Sequence, residues 1–273
     1  MAAAVVLNTV YPSEVLANKL QDNLTTHINH RDLMTIDRDL TENEGMTKRI
    51  ITYAYGPASG NDSPVEKLLA GNKNAIKGKV TASSTYKTVQ RVQQTWAYTD
   101  DEFYADNDVV EAGMRLSANE MVNDMVADFY TAAATASLTA EFPEDGFTYD
   151  AVVDAIAEMN LEDESGLFLV INPGIKAEIR KDADFKAKEL GKVIRDGMIG
   201  SLAGVPVIVS KAVPEDTAYL MTKEAITCFL KKDVSVEQDR DIEAKINTIV
   251  EAAWYIVALT DATKIVKMER ASE

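Results

Sequence analysis

One segment, Asp108–Ser137, predicts a helix far longer than the average of about 11–12 residues. Proline is absent from it, and Asp108 followed by Glu111 has the spacing of a capping box. About thirty residues at ~1.5 Å per residue give a rod of roughly 45 Å. Its apolar stripe must be covered along the whole length, so we expect a long antiparallel partner to lie against it. The residues of the stripe recur at spacings of three and four: Val110, Met114, Ala118, Met121, Val122, Met125, Phe129 and Ala132.

The first 99 residues contain a large amount of extended, polar chain. Residues 1–45 alternate charges with isolated apolar residues, and we predict an arm that lies on other surfaces. Two later segments, Lys48–Tyr55 and Tyr86–Tyr98, have the β-branched and aromatic residues typical of strands. The second segment alternates well, but both of its faces are largely polar, which is unusual for a strand buried within its own chain. We therefore interpret residues 46–99 as a two-stranded arm that packs on a neighbouring subunit; an internal hairpin with a long tip is the alternative.

Four aromatic residues of this arm are the candidate functional residues. Aromatic side chains contribute large contact areas and dominate the energetics of many interfaces. A subunit with so much extended chain needs neighbours to bury it and is expected to be poorly stable alone. The predicted anchors of the subunit interface are Tyr53, Tyr55, Trp96 and Tyr98.

Charge and composition exclude several classes of protein. The net charge is −16, from 44 acidic and 28 basic residues, whereas a protein that grips DNA needs basic patches to neutralise phosphates. A container that holds DNA loosely remains compatible with this charge. No apolar run reaches the roughly 20 residues that cross a bilayer, so we predict no membrane segment. The single cysteine, Cys228, excludes intramolecular disulfides and fits a reducing compartment.

Residues that carry catalysis or bind metals are few. His27 and His30 are the two histidines, and no complete set of metal ligands surrounds them. Cys228 has no histidine after it in the chain that could act as its base. The glycines Gly200 and Gly204 precede a strand, whereas nucleotide-binding loops join a strand to a helix. We predict no catalytic residue, no cofactor and no metal site.

The C-terminal half predicts a compact α/β unit followed by a closing segment. An amphipathic pattern predicts a helix over Thr148–Asn160, with Val152, Val153, Ile156 and Met159 facing inward. Wholly apolar runs bounded by turn residues predict buried strands at Leu167–Ile171 and Val205–Val209. For the last part of the chain, the residue pattern predicts a helix-like segment over Ile242–Ala258 and a strand over Tyr255–Met268.

Three sequence segments of this half, which follow the predicted long helix in order, resemble one known family. LFLVINPGIKAEIRKDAD, MIGSLAGVPVIVSKAVPEDTAYL and DVSVEQDRDIEAKINTIVEAAWYIVALTDATKIVKM are similar to segments of tailed-phage major capsid proteins of the Hong Kong 97 fold. The resemblance covers residues 100–273 and extends to residues 1–99 only through the order of the parts. It implies an α+β fold with an N-terminal arm (1–45), an extended E-loop β-hairpin (46–99), a P-domain with a long spine helix (100–147 and 243–273) and an α/β A-domain (148–242).

The same resemblance implies a structural role rather than an enzymatic one. Copies of the chain are expected to form the hexamers and pentamers of an icosahedral phage head, which encloses double-stranded DNA without binding it specifically. The expected partners are a portal, a separate scaffolding protein and, in some relatives, a decoration protein. The expected location is the virion, after assembly in the host cytoplasm. An encapsulin-like protein compartment, which resembles the same fold, is the second interpretation, and a soluble α/β enzyme is the remote one.

Overall fold

The computed structural model describes residues 30–42, 44–58, 65–69, 71–181 and 200–271, so most of the arm predicted for residues 1–45 lies outside the described residues. The helices are α1 (Asp39–Glu42), α2 (Asp100–Ala105), α3 (Val109–Ala133), α4 (Tyr149–Met159) and α5 (Pro173–Lys181). The strands are β1 (Thr35–Asp37), β2 (Thr47–Pro57), β3 (Gly78–Thr88), β4 (Gln90–Thr99), β5 (Leu138–Phe142), β6 (Leu167–Ile171), β7 (Ser201–Leu202), β8 (Val205–Val209), β9 (Thr217–Thr222), β10 (Ile226–Asp241), β11 (Ile246–Leu259) and β12 (Ile265–Arg270). Short 3-10 turns lie at His30–Leu33 and Ala262–Lys264.

The predicted long helix is confirmed as α3, which has 25 residues. Seven of the eight stripe residues are buried, and Val122 is partly buried. The predicted capping box at Asp108 is wrong, because the Asp108 side chain makes no capping hydrogen bond. A capping box instead begins α2, where the Thr99 hydroxyl accepts from the Glu102 N–H and the Glu102 carboxylate accepts from the Thr99 N–H.

A four-stranded sheet, in the order β1-β10-β11-β4, covers the long helix. Contacts from Ser117 to Glu251 and from Asp124 to Tyr255 show that α3 and β11 run in the same direction. Since β4 is antiparallel to β11, the expected antiparallel partner of the helix is a strand, β4. The sheet and helix bury one core between them, which includes Met114, Phe129 and Ile249.

The helix-like conformation predicted for Ile242–Ala258 is wrong, because the structure has the strand β11 at Ile246–Leu259. In β11 the odd-numbered residues from Asn247 to Tyr255 are all buried, which is the period of a strand packed on one face. Ile249, Val250 and Ile256 are β-branched and favour a strand. Pairing with β10 and β4 on both sides supplies the tertiary contacts that decide the conformation.

A six-stranded sheet, in the order β5-β12-β9-β6-β8-β7, forms the second layer. The predicted buried strand at Leu167–Ile171 is confirmed as β6, with every residue buried. The predicted helix is confirmed as α4, but Val153 is 42% exposed and does not face the core as expected. Strand pairing also crosses the predicted boundary near residue 243, because β10 joins the four-stranded sheet while β12 joins the six-stranded one.

The segment 46–99 divides in the structure into two parts with different roles. Strands β2 and β3 pair with each other over eleven residues, from Thr47 opposite Thr88 to Pro57 opposite Gly78, and form a hairpin roughly 37 Å long at ~3.4 Å per residue. Strand β4 belongs to the four-stranded sheet instead and pairs with β11. Val89 separates β3 from β4 and is buried, so the hairpin emerges directly from the sheet.

Of the helices that the structure describes, none combines the length and the apolar character that crossing a membrane requires.

Candidate assembly surface

The β2–β3 hairpin has two different faces. Residues directly opposite each other in an antiparallel pair project from the same face. One face carries large apolar and aromatic side chains, and we call it the aromatic face: Ile51, Tyr53, Tyr55, Val80 and Tyr86. The opposite face carries small hydroxyl side chains along its centre: Thr52, Thr81, Ser83 and Thr85.

The aromatic face is exposed along its whole length. Tyr53 and Tyr55 are 70% and 68% exposed, and Tyr86 is 65% exposed. Every residue of β3 is exposed as well. Contiguous exposed apolar surface on a soluble protein usually marks an interaction site, because its burial releases water. The aromatic face is therefore the candidate functional surface.

Two rings of this face, those of Tyr55 and Tyr86, have contacts within the hairpin. The Tyr55 ring lies against Gly78 on the neighbouring strand, so that a Cβ at position 78 would overlap the ring. The Arg49 guanidinium lies 5.9 Å from the centre of the Tyr86 ring, within the range of a cation–π contact. Each of these rings thus has a contact within the hairpin before any partner binds, and a contact that restricts a ring lowers the entropy lost on docking.

The four predicted interface anchors fall into two groups. Tyr53 and Tyr55 lie on the aromatic face, and their interface role stays a prediction. Trp96 and Tyr98 lie in the body of the subunit instead, because β4 pairs with β11 and turns both rings toward the long helix. Tyr98 is only 3% exposed, and the Trp96 ring packs against Gly113. These two residues stabilise their own subunit.

Sequence reasoning missed three residues of the aromatic face: Ile51, Val80 and Tyr86. Ile51 alternates with Tyr53 and Tyr55, so the spacing of two in β2 was a usable signal. Val80 and Tyr86 join this face only through the register of β3 against β2, which the sequence does not specify.

The segment that contains the hairpin and the segment that contains the long helix carry net charges of opposite sign. Residues 46–90 contain seven basic and two acidic residues, although the whole chain carries a net charge of −16. Residues 100–128 contain nine acidic residues and one basic residue, Arg115. Seven of these acidic side chains are exposed: Asp101, Glu102, Asp106, Asp108, Glu111, Glu120 and Asp124. The molecule thus presents a basic hairpin and an acidic helical surface.

A buried polar cluster joins the long helix to the sheet. The Trp96 indole N–H and the Ser117 hydroxyl both donate to Glu251 Oε1, at 2.9 and 2.8 Å. Glu251 is completely buried, and its burial raises the pKa of the carboxyl above the ordinary value despite these two donors. The cluster fixes β4, and with it the root of the hairpin, against α3.

The described ranges contain no group of three or more His, Cys, Asp or Glu side chains positioned to hold a metal ion. The single cysteine, Cys228, is buried in the core.

Comparison with known proteins places this geometry in a family. The sequence profile described as "Phage capsid protein" matches residues 81–268. The chain is 26% identical over 274 residues to the major capsid protein of Staphylococcus phage phiMR11, and the match covers 97% of this chain and 95% of that protein.

Solved structures share the fold at low sequence identity. A chain of Microbacterium phage Oxtober96 superimposes with a TM-score of 0.67 at 13% identity, covering 88% of this chain and 90% of the other. An encapsulin of Synechococcus elongatus superimposes with a TM-score of 0.60 at 11% identity, covering 98% and 91%. The predicted α+β fold of the Hong Kong 97 type is confirmed. The profile match over more than half of the chain shows that this protein belongs to the family of phage capsid proteins.

Proposed function

We propose that the chain is the major capsid protein of a phage and that its copies form the hexamers and pentamers of an icosahedral head around double-stranded DNA. The exposed aromatic face of the hairpin carries this proposal. Five large side chains, each at least 38% exposed, lie on one side of a ribbon that extends from the body. A second copy of the chain is the occupant that the family relationship supports.

The hairpin is suited to bridge two copies. Aromatic side chains bring much contact area with few rotatable bonds, so they lose little entropy when they dock. The ribbon is roughly 37 Å long at ~3.4 Å per residue, long enough to reach over a neighbouring subunit. Such a contact would make the assembled state more stable than the isolated subunit.

Charge favours the acidic helical surface of the neighbour as the docking site. The hairpin lysines Lys77 and Lys79 are exposed near the end of the ribbon, whereas Glu120 and Asp124 are exposed on α3. Opposite charges on two copies attract each other and speed their encounter, while like surfaces repel. The contact is therefore expected to be head-to-tail, which closes into rings.

The remaining partners follow from the same role. The net charge of −16 supports a shell that encloses DNA without gripping its phosphates. A portal, a separate scaffolding protein and a decoration protein are the proposed accessory partners, and the host cytoplasm is the proposed site of assembly.

An encapsulin-like compartment is the second candidate function, favoured by the superposition that covers 98% of this chain. Portal and terminase genes beside this gene support a phage head, whereas the gene of a cargo enzyme supports a compartment.

Particle formation by the purified chain tests the proposed function. We expect negative-stain electron microscopy to show closed shells of uniform size, formed either by the chain alone or with a co-expressed scaffolding protein. Light scattering should give a mass of many subunits. A stable monomer under both conditions, at concentrations of tens of micromolar, would contradict the proposal.

Charge reversal tests the docking surface. The double substitution Lys77→Glu and Lys79→Glu should slow assembly and reduce its dependence on salt, because these lysines contribute to long-range attraction. Adding Glu120→Lys and Asp124→Lys should restore part of the rate. The control is Lys211→Glu, which changes an exposed lysine in the loop between β8 and β9. Stopped-flow light scattering measures the rates, and a rate unaffected by the first pair argues against this surface.

A further inference from the structure

A buried carboxyl group lies at the centre of the helix–sheet interface without an opposite charge. Glu251 is 0% exposed, and both of its hydrogen bonds end on Oε1. Its second oxygen, Oε2, is also buried and has no hydrogen-bond partner among the described residues. Nearly all buried polar atoms in proteins are paired, so this atom needs an explanation.

The groups that surround Glu251 provide no compensating cation. Its neighbours in the sheet, Val236 on β10 and Gln94 on β4, are uncharged. Across the described part of the chain, no ion pair includes Glu251, and the Arg240 guanidinium is already paired with Asp100 at 2.7 Å. The other titratable groups of the helix and of the sheet face packed on it are Tyr98, Glu111, Arg115, Glu120, Asp124, Asp128, Tyr130, Cys228 and Tyr255. None of these is hydrogen-bonded to Glu251, and burial is the largest influence on its pKa.

An unpaired carboxylate is unfavourable in such a site, whereas the neutral acid is tolerated. Burying an ionised carboxylate without a counter-charge is strongly unfavourable because the charge loses its hydration, so the group gains a proton instead. The protonated form keeps Oε1 as the acceptor for Trp96 and Ser117 and places the proton on Oε2.

We propose that Glu251 is a proton-dependent latch, neutral when α3 is tightly packed on β4 and β11, whose ionisation loosens that packing. Trp96 transmits the change, because it is the side chain through which β4 bonds to Glu251. Strand β4 begins at Gln90, two residues after the hairpin ends at Thr88. Loosening β4 therefore frees the root of the hairpin. This consequence for assembly rests on the proposed function, but the latch itself does not.

The sign of the pH dependence follows from the direction of the shift. The folded-state pKa of Glu251 is raised above the ordinary 4.5, so the stabilisation is fully present below pH 4.5. It is lost as the pH rises through the raised value. Acid thus stabilises the packing of α3 on β4 and β11, and higher pH loosens it.

Tryptophan fluorescence tests the latch in the purified full-length chain. The chain has two tryptophans, so a Trp254→Phe background leaves Trp96 as the reporter. We expect its emission to titrate with a midpoint above pH 4.5. Glu251→Gln should abolish this transition and should remove the corresponding loss of melting temperature with rising pH. Ser117→Ala should move the midpoint upward, because the hydroxyl donates to the ionised form.

The matched control is Glu120→Gln, which removes an exposed carboxylate from the same helix and should leave the transition unchanged. A midpoint at or below pH 4.5, or a transition that persists in Glu251→Gln, overturns the proposal. If Glu251→Gln does not fold, the Ser117→Ala midpoint decides: a rise supports the latch and no rise overturns it. Shell formation seen by microscopy is independent of these results, so a failed latch leaves the assembly role intact.

Discussion

Replacing Ile51, Tyr53 and Tyr55 together with serine is expected to stop the chain from forming closed shells while the subunit stays folded. Each residue lies on the exposed aromatic face, and none of them belongs to the cores of the body. Truncating a central aromatic contact typically costs about 2 kcal/mol or more in an interface. A closed shell repeats the contact in every subunit, so the loss multiplies across the assembly.

Three measurements check this expectation. Electron microscopy should show no shells, light scattering should show small oligomers or monomers, and circular dichroism should show the same melting temperature for the body as in the parent chain. The matched control is the pair Thr81→Ala and Ser83→Ala, which alters the opposite face of the same hairpin. Normal shells from the triple variant would mean that the aromatic face does not mediate assembly.

Gly113→Ala is expected to destabilise the subunit, although alanine normally favours a helix over glycine by about 1 kcal/mol. An added Cβ at this position would lie 2.5 Å from Cζ3 and 2.6 Å from Cη2 of the Trp96 ring. The ring cannot move easily, because its indole N–H is bonded to Glu251 within the core. Overpacking of this kind typically costs about 1–3 kcal/mol, which exceeds the gain in helix propensity.

Thermal and urea denaturation measure this loss, and Trp96→Phe provides the control. Phenylalanine lacks the two ring atoms that approach Gly113, so the cost of Gly113→Ala should fall below about 1 kcal/mol in that background, a coupling that a double-mutant cycle isolates. A Gly113→Ala variant more stable than the parent chain would show that the close approach of Trp96 does not limit this position.

Local patterns in the sequence were sufficient for elements whose environment repeats regularly. The apolar stripe of α3 and the wholly apolar run of β6 were predicted, because burial on one face or on both faces leaves a period or an uninterrupted run. The order of the parts, together with three local phrases, also indicated the capsid fold, which the comparisons confirmed.

The same reasoning identifies only some of the residues of the candidate surface. The sequence predicts Tyr53 and Tyr55 as interface residues because they are aromatic residues of an extended arm, and the structure places both on the exposed face. Trp96 and Tyr98 satisfy the same description but lie in the body, because a strand's pairing partner is distant in sequence. Alternation shows that a segment is a strand and does not show which strand lies beside it.

The sequence alone therefore determined the long helix, the buried strand β6, the acidic character of the chain and its family resemblance, since these depend on residue type and local spacing. Only the tertiary structure decided that β4 leaves the hairpin to pair with β11, that β11 is a strand, and that Glu251 lies without a counter-charge beneath α3. The physical reason is that pairing register and burial arise from contacts between residues more than a hundred positions apart, such as Trp96 and Glu251. The free energy of such contacts is absent from any short window of the chain.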